Sequence, residues 1–344
     1  MNPMTMFAPI TRKFPRTRGI IRLPRLAHVG AALLVALALQ DSVAQERYPN
    51  RMIRIIVPTA QGGGSDTAAR LIALELTQVW GRPVVVESRL GAGTIVGTEV
   101  VAKAPPDGYT LLMAPSAFAS NPVIYKKLPY DTVRDFAPIS YMLSSPIVLL
   151  VHPSVPVRSV RELIAYAKAR PGTINYGSSG TGTNPHLSME LFASMAQINL
   201  VHIPYKGGAQ ATVDLLAGRI SLYFSSSPPV VLPHIQSGKL IALGTTGARV
   251  RSMPDLPLIS DAGLPGYQAD QWTGLLAPAG TPRNIILALH KEATNILRLP
   301  QSKKVLDAQE FEVVGSTPDE FEAFLKNEFV KWAEVAKSAG IQPE

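Results

Sequence analysis

The 344-residue sequence contains no cysteine, no low-complexity tract and no Arg-Arg pair. Without cysteine the chain has no disulfides, no thiol catalysis, no thiolate metal site and no iron–sulfur cluster. Its apolar run at residues 27–39 has thirteen residues, whereas a membrane-spanning helix needs about 20. Stability must therefore come from core packing, which a chain of this length and hydrophobic content can supply.

The N-terminal segment has the three parts of an export signal. Six basic side chains precede the apolar run, at Arg12, Lys13, Arg16, Arg18, Arg22 and Arg25. Ser42-Val43-Ala44 then forms a small-x-small cleavage site. This pattern predicts that residues 1–44 are a signal peptide and that the mature chain begins at Gln45. The missing Arg-Arg pair disfavours the twin-arginine route.

The formal net charge of +8 depends largely on that segment. Residues 1–44 carry six basic residues and one acid, so 27 basic and 24 acidic residues remain, a net of +3. Nucleic-acid binding needs a clustered basic surface, which this charge does not indicate. A mild positive excess is compatible with small anionic ligands.

Strand and helix patterns alternate along the mature chain. Buried strands are predicted at 53–57, 84–86, 110–114, 147–151, 174–176, 200–203, 220–224, 240–243 and 272–277. Amphipathic helical patterns separate them, and two more helices close the chain at 283–297 and 318–339. This βαβ order favours parallel sheets covered by helices. Apparent crossings near 147 and 272 predict one discontinuous lobe (45–147 plus 272–344) and a second lobe (148–271), with a ligand cleft between them.

A glycine loop follows the first predicted strand, with Gly62, Gly63 and Gly64 leading into a helix. Such a turn aims free backbone N–H groups at one point, where the helix dipole favours an anion. The spacing Gly62-x-Gly64-x-x-Thr67, with Glu87 ending the next strand, resembles a dinucleotide fingerprint. Thr67 in place of the third glycine and the carboxylate of Asp66 count against that interpretation. A small carboxylate is the alternative ligand, and a simple tight turn is the third interpretation.

The same strand–loop–helix arrangement recurs at Ser178 to Pro185, one domain length later. Two facing helix N-termini could hold the two ends of a diacid. His186 and Glu190 stand four residues apart, but no second histidine follows as in His-Glu-x-x-His, so a capping or core role is favoured for His186. Neither Ser178 nor Ser179 lies in Gly-x-Ser-x-Gly, and Lys206 fits a solvated turn better than a reactive amine.

Several motifs together resemble those of the tripartite tricarboxylate transporter receptors, also called the Bordetella uptake gene (Bug) family of solute-binding proteins. They cover essentially the whole mature chain in order, at residues 48–49, 53–58, 62–66, 84–93, 106–111, 128–131, 135–138, 202–207, 262–267 and 277–282. Two positions depart from the family pattern. Thr59-Ala60-Gln61 replaces an aromatic residue followed by Pro-Ala, and Ser88-Arg89-Leu90-Gly91 replaces Asn-Arg-Pro-Gly. The first departure places a hydroxyl and an amide in the predicted pocket wall.

The resemblance implies an α/β, two-lobed, type II periplasmic-binding-protein fold with two mixed sheets covered by helices and two interlobe crossovers. It implies a periplasmic receptor that binds an organic acid and delivers it to one large and one small membrane subunit. It implies no enzymatic activity, cofactor or metal, and the protein is expected to be a monomer. Presentation of the ligand to a membrane sensor kinase, and an exported nucleotide-dependent enzyme, remain alternatives. The predicted ligand-binding residues are Thr59, Ala60, Gln61, Gly62, Gly63, Gly64, Ser65, Asp66, Ser116, Ser178, Ser179, Gly180, Thr181, Thr183, His186, Phe224, Ser225 and Trp272.

Overall fold

A computed structural model describes residues 48–343 of the chain. Within them, eleven strands form two sheets, one of six strands and one of five. The signal peptide predicted at residues 1–44 lies outside the described residues. Among those described, no helix is both long and apolar enough to cross a membrane.

The six-stranded sheet is mixed. Its strands are β1 (Ile53–Val57), β2 (Val84–Ser88), β3 (Thr110–Pro115), β4 (Phe136–Ser145), β10 (Gln271–Pro278) and β11 (Glu312–Val313), in the order β11-β4-β10-β3-β1-β2. β1 pairs in parallel with β2 and β3, whereas β10 lies antiparallel between β3 and β4. The alternating pattern did not indicate β4, although it is a ten-residue strand.

The five-stranded sheet is also mixed. It contains β5 (Val148–Val151), β6 (Asn175–Ser178), β7 (Val201–Pro204), β8 (Leu222–Ser225) and β9 (Ile241–Thr245), in the order β7-β6-β8-β5-β9. β6 pairs in parallel with β7 and β8, while β5 runs antiparallel to β8 and β9. The chain therefore passes between the sheets after β4 and again before β10, near the predicted crossings.

Ten α-helices are described. They are α1 (Gly64–Trp80), α2 (Ile95–Ala102), α3 (Ala117–Ile124), α4 (Val160–Lys168), α5 (Asn184–Ala196), α6 (Gly208–Leu216), α7 (Pro228–Gln236), α8 (Arg283–Leu297), α9 (Pro300–Ala308) and α10 (Pro318–Ser338). Gly81 ends α1 in the left-handed conformation (φ 61°), and Ser159 caps α4 by accepting the N–H of Glu162. Thr317 and Glu320 form a capping box at α10.

One large apolar core is shared by the two sheets. It joins Leu112 of β3 and Trp272 of β10 to Leu149 of β5 and Phe224 of β8, all at most 1% exposed. Burial of apolar surface on this scale, at roughly 25 cal/mol per Å², is the main stabilising contribution to the fold. Each sheet also has one smaller apolar cluster of its own, which includes Ile55 of the six-stranded sheet and Leu150 of the five-stranded sheet.

The two connections between the sheets are hydrogen-bonded to each other. Ile147 donates its N–H to Thr246 Oγ1 at 3.0 Å, and Thr246 donates its own N–H to the Ile147 carbonyl at 3.0 Å. Asp270 accepts hydrogen bonds from the Thr246 hydroxyl at 2.5 Å and the Gly247 N–H at 2.6 Å. Burial raises the pKa of Asp270 to about 6 in spite of these donors.

Candidate functional site

The first glycine loop leaves backbone donors free at the start of α1. Gly62 adopts a left-handed conformation (φ 83°), and Gly63, the N-cap, is extended and receives no side-chain capping bond. Among the described residues, no acceptor pairs with the N–H groups of Gly63, Gly64 and Ser65. These donors and the positive end of the α1 dipole favour an anion at this position.

Asp66 holds the same loop in place. Its Oδ2 accepts the Gly62 N–H at 3.0 Å and Arg70 Nε at 2.9 Å. Burial by itself would raise the pKa of Asp66, but the bonds from Arg70 and Gly62 outweigh that effect and lower it below the usual range. Asp66 Oδ1 and Thr59 Oγ1 are buried atoms without a hydrogen-bond partner among the described residues.

The second glycine loop joins β6 to α5 and is braced by its own hydroxyls. Thr183 Oγ1 donates to the Gly180 carbonyl at 2.7 Å, and Ser178 Oγ accepts the Gly180 N–H at 3.2 Å. Gly182 has φ 75°, and a Cβ there would lie 2.8 Å from Ile124 of α3. Only glycine fits this close approach, so the loop's path is determined by its packing against α3.

A buried cluster of aromatic and titratable side chains supports the second loop. His186 Nδ1 accepts the Gly182 N–H at 3.0 Å, and His202 Nε2 lies 2.6 Å from Ser178 Oγ. Tyr176 stacks on His202, and its hydroxyl donates to Glu190. Burial, with repulsion from His202, lowers the pKa of His186 to about 3, and burial lowers that of His202 to about 4. Both rings are therefore neutral near pH 7.

Two adjoining cavities, together called the cleft here, lie beside the loops. The first, of about 390 Å³, is lined by Gly62, Gly63, Gly64, Ser226, Ser227, Pro229, Val230, Gln271, Ala308, Gln309 and Phe311. The second, of about 480 Å³, is lined by Ser179, Gly208, Ala209, Thr212, Val213, Leu216, Tyr223, Ser225, Ser226, Ser227, Val230 and His234. The cleft is bounded by residues attached to both sheets, since Gly64 and Phe311 face Ser226 and Val230 across the first cavity.

Among the described residues, those that line the cleft include no Lys, Arg, Asp or Glu side chain. Its polar groups are backbone N–H groups, serine and threonine hydroxyls, two glutamine amides, Tyr223 and His234. Three helices also begin there, α1 at Gly64, α6 at Gly208 and α7 after Ser227. Pro228 and Pro229 have no N–H group, so α7 contributes its dipole but few donors. Such a cleft holds an anion through neutral donors rather than through a cationic side chain.

A third cavity, of about 300 Å³, lies away from both loops, between the start of β4 and α10. Its walls include Phe136, Leu325 and Phe329. The charges at its rim are paired, Arg283 with Asp319 and Lys326 with Glu322. The free donors of the glycine loops therefore mark the cleft, not this cavity, as the candidate site. Among the described residues, no group of three His, Asp or Glu side chains could hold a metal ion.

The structure places the predicted site residues in three environments. Five of them line the cleft: Gly62, Gly63, Gly64, Ser179 and Ser225. Nine lie in or next to the two loops without lining the cleft: Thr59, Ala60 and Gln61 in the first loop, Ser65 and Asp66 in the first turn of α1, Ser178 at the end of β6, and Gly180, Thr181 and Thr183 in the second loop. The other four, Ser116, His186, Phe224 and Trp272, are buried outside the loops.

Four of the predicted side chains make protein contacts that account for their burial. Trp272 donates its indole N–H to Glu328 at 3.1 Å, and Phe224 packs against Phe192 and Tyr267. Ser65 Oγ lies 3.3 Å from Thr273 Oγ1. Ser116 Oγ accepts a 3.4 Å hydrogen bond from Asn184 of α5. These contacts place Phe224 and Trp272 in the shared core rather than on the cleft.

Several cleft residues were not predicted, namely Gly208, Ser226, Ser227, Gln271, Gln309 and Phe311. Ser225 to Ser227 follow β8 and precede Pro228, so they form a third strand-to-helix junction that the sequence pattern could have indicated. Phe311 carries no such local signal, because it reaches the cleft through a connection between α9 and β11.

Comparison with known proteins gives a consistent result. A sequence model described as "Tripartite tricarboxylate transporter family receptor" matches residues 68–341. Protein BugT of Bordetella pertussis is 35% identical over 328 residues, which cover 94% of this chain and 99% of BugT. The structure of R. palustris Rpa4515 with adipate is 34% identical with a TM-score of 0.72, covering 86% of this chain and 100% of that one.

A further solved structure, MatC (Rpa3494) from Rhodopseudomonas palustris with bound malate, is 29% identical. Its TM-score is 0.68, and the match covers 84% of this chain and 99% of MatC. The predicted fold class is confirmed by these structures and by the two mixed, helix-covered sheets: the chain has the α/β fold of periplasmic binding proteins.

Proposed function

Because the chain belongs to the tripartite tricarboxylate transporter receptor family, we propose that it captures a small organic carboxylate in the cleft and delivers it to a membrane transporter. The family resemblance predicted from the motifs is confirmed by the family match. The family consists of solute-binding receptors, and the predicted export signal would bring this member to the periplasm.

The donor set of the cleft carries this proposal. The N–H groups of Gly63 and Gly64 at the start of α1 have no acceptor among the described residues, and Ser226 and Ser227 line the same first cavity. A carboxylate accepts two to four such charge-assisted hydrogen bonds, each stronger than a bond between neutral groups. Among the described residues that line the cleft none has a charged side chain, so a bound carboxylate would meet only neutral donors there.

Thr59 is a further candidate donor next to the proposed site, although it does not line the cleft. Its hydroxyl is buried and has no partner among the described residues, which is rare for a buried polar atom. It stands at the exit of β1, where the family resemblance predicts an aromatic residue. We assign it to the ligand or to a group that the ligand orients.

The ligands of similar proteins agree with this chemistry. Rpa4515 was solved with adipate and MatC with malate, both dicarboxylates. A micromolar dissociation constant corresponds to about 8 kcal/mol, which a few charge-assisted hydrogen bonds and exclusion of water can supply.

A dinucleotide fits the site less well than a carboxylate. Glu87, which would have to accept the ribose hydroxyl, instead pairs with Arg54 at 2.8 Å and with Arg89. These ion pairs oppose the nucleotide-dependent enzyme considered as an alternative.

Delivery requires that the membrane subunits distinguish the loaded receptor from the empty one. A ligand that contacts the segments attached to both sheets binds the closed arrangement more tightly than the open one, so it shifts the population towards closure. The closed receptor is then the form offered to the large and small membrane subunits.

A thermal-shift screen of the purified protein tests the proposal. The panel contains succinate, adipate, malate, benzoate, NAD and glucose, at equal ionic strength maintained with sodium chloride. An acid present at 100 times its dissociation constant should stabilise the protein by about 2.7 kcal/mol. A shift with NAD or glucose and with none of the acids would refute the proposed function.

A further inference from the structure

The wall of the first cavity includes a half-buried phenylalanine that lies directly against the first glycine loop. A Cβ built on Gly64 would be 3.1 Å from two ring carbons of Phe311. The ring therefore occupies the space that a side chain at Gly64 would need. It lies beside the free N–H groups at the start of α1, so any carboxylate held by them has the ring as its neighbour.

The backbone next to Phe311 is hydrogen-bonded to residues that follow β9 of the five-stranded sheet. Glu310 is buried and adopts a left-handed conformation (φ 62°), which is unfavourable for a residue with a side chain. Its carboxylate accepts the N–H of Arg251 at 2.7 Å and the N–H of Ser252 at 3.0 Å. These two bonds compensate the unfavourable conformation and hold the connection between α9 and β11 in place.

Arg251 adds a second fastening to the same connection. Both of its terminal guanidinium nitrogens donate to the Phe311 carbonyl at 3.2 Å, and one of them lies 3.2 Å from Asp307. Val250, the preceding residue, is fully buried in the core of the five-stranded sheet, whereas Phe311 packs against the core of the six-stranded sheet. The position of the ring thus depends on contacts that join the two sheets.

We propose that Phe311 is the specificity-determining residue of the cleft and that Arg251 and Glu310 are positioning residues for its ring. This inference rests on the proposed function, since it concerns which acids are held rather than whether acids are held. The ring gives an apolar surface to the carbon atoms next to the bound carboxylate. A methylene group gains from that contact, whereas a hydroxyl on the same carbon would lose water without a new hydrogen bond. The favoured ligands are acids with unsubstituted hydrocarbon next to the carboxylate.

Succinate and tartrate form a matched pair for the test, since both are four-carbon dicarboxylates and only tartrate carries hydroxyls next to its carboxylates. Calorimetric titration of the purified protein should show at least tenfold tighter binding of succinate than of tartrate. In Phe311→Ala the succinate affinity should fall about tenfold or more and the tartrate affinity less than threefold, so the preference disappears. Phe311→Leu should keep most of it, because leucine restores an apolar surface.

The positioning role of Arg251 is tested by the ratio of succinate affinity to tartrate affinity and not by the stability of the variant. Arg251→Ala should reduce the succinate-to-tartrate ratio by about threefold or more, and the unfolding midpoint is measured in parallel. Phe329→Ala serves as the matched control, because Phe329 is also a half-buried phenylalanine but lines the third cavity. It should leave the ratio unchanged.

The outcomes separate the two claims. If the wild-type protein binds neither these acids nor those of the wider panel, the proposed function fails, and the specificity assignment fails with it. If acids bind but Phe311→Ala keeps the wild-type ratio of succinate to tartrate, the assignment of Phe311 is wrong while the proposed function stands. An unchanged ratio in Arg251→Ala would refute the positioning role alone.

Discussion

The imidazole rings of His186 and His202 are stacked beneath the second glycine loop, with 3.9 Å between their centroids. His186 accepts the Gly182 N–H through Nδ1, and His202 Nε2 contacts Ser178 Oγ. A protonated His186 could not accept that hydrogen bond, and two stacked cations would repel each other. Protonation of His186 would therefore break the bond that holds Gly182, and protonation of both rings would place two cations in contact.

The first prediction concerns acid stability. Folding lowers the pKa of His186 from 6.5 to about 3 and that of His202 from 6.5 to about 4. Their contribution to stability is thus fully present above pH 6.5 and is lost as the pH falls towards 4. His186→Gln keeps an acceptor for Gly182 but does not titrate, so its urea midpoint should fall less steeply than the wild-type midpoint between pH 6.5 and 4.

Other titrating groups must be considered in that comparison. Glu190 and Asp270 have pKa values raised by burial, so their ionisation destabilises the fold as the pH rises, the opposite sign. Asp270 is present in both proteins, so its effect on the two pH slopes cancels. Glu190 lies 3.9 Å from His186, so its titration is coupled to that of His186. Identical slopes in the two proteins would show that His186 titrates normally.

The second prediction concerns Asp66. Asp66→Ala removes the acceptor for the Gly62 N–H and for Arg70, and should lower the free energy of unfolding by about 1–2 kcal/mol. Because folding lowers the pKa of Asp66, this contribution is present above its ordinary value of 3.8 and is lost below it. Urea denaturation at pH 7 and pH 3 measures the difference, which should shrink at pH 3.

Arg70→Ala is the control for Asp66→Ala. Its side chain is 52% exposed, so its loss should cost less than that of the buried acid. An equal or larger loss in Arg70→Ala would contradict the assignment of Asp66 as the group that holds the loop.

The third prediction concerns the connection before β10. A Cβ at Gly247 would lie 2.1 Å from Asp270 Oδ2, so Gly247→Ala must displace a half-buried, hydrogen-bonded carboxylate. We expect it to destabilise the protein by about 1–3 kcal/mol in urea denaturation. Gly63→Ala meets nothing closer than 3.7 Å and should cost less than about 1 kcal/mol as a weaker N-cap. Equal midpoints for the two variants would contradict this packing.

The sequence predicted the parts of the site that depend on local pattern. Both glycine loops lie where a strand ends and a helix begins, and the crossings near 147 and 272 correspond to the passages between the sheets. The strand β4 was missed because both of its faces are largely buried, so it shows no alternation. The antiparallel β10 did not follow from the βαβ order, which by itself favours parallel neighbours; only the family resemblance implied mixed sheets.

Side-chain direction limited the prediction of the site itself. Trp272 and Phe224 lie on strands near the cleft, but a buried strand offers no pattern that tells which face a residue takes, and both face the core. Phe311 could not be found from sequence, since Glu310 and Arg251 that hold it are 59 residues apart along the chain. Contacts of that range depend on how the two sheets are arranged.

We propose that the first glycine loop holds the carboxylate, and substitution of Gly63 tests this proposal. Gly63→Asp places a second carboxylate beside the bound one, a repulsion of about 4 kcal/mol at 4 Å and an effective dielectric constant of about 20. Calorimetric titration with the acid that gives the largest thermal shift should show affinity reduced at least 100-fold, with the unfolding midpoint nearly unchanged. Gly63→Asn, of the same size without the charge, should lose less than tenfold. Wild-type affinity in a folded Gly63→Asp protein would show that the first glycine loop does not hold the carboxylate.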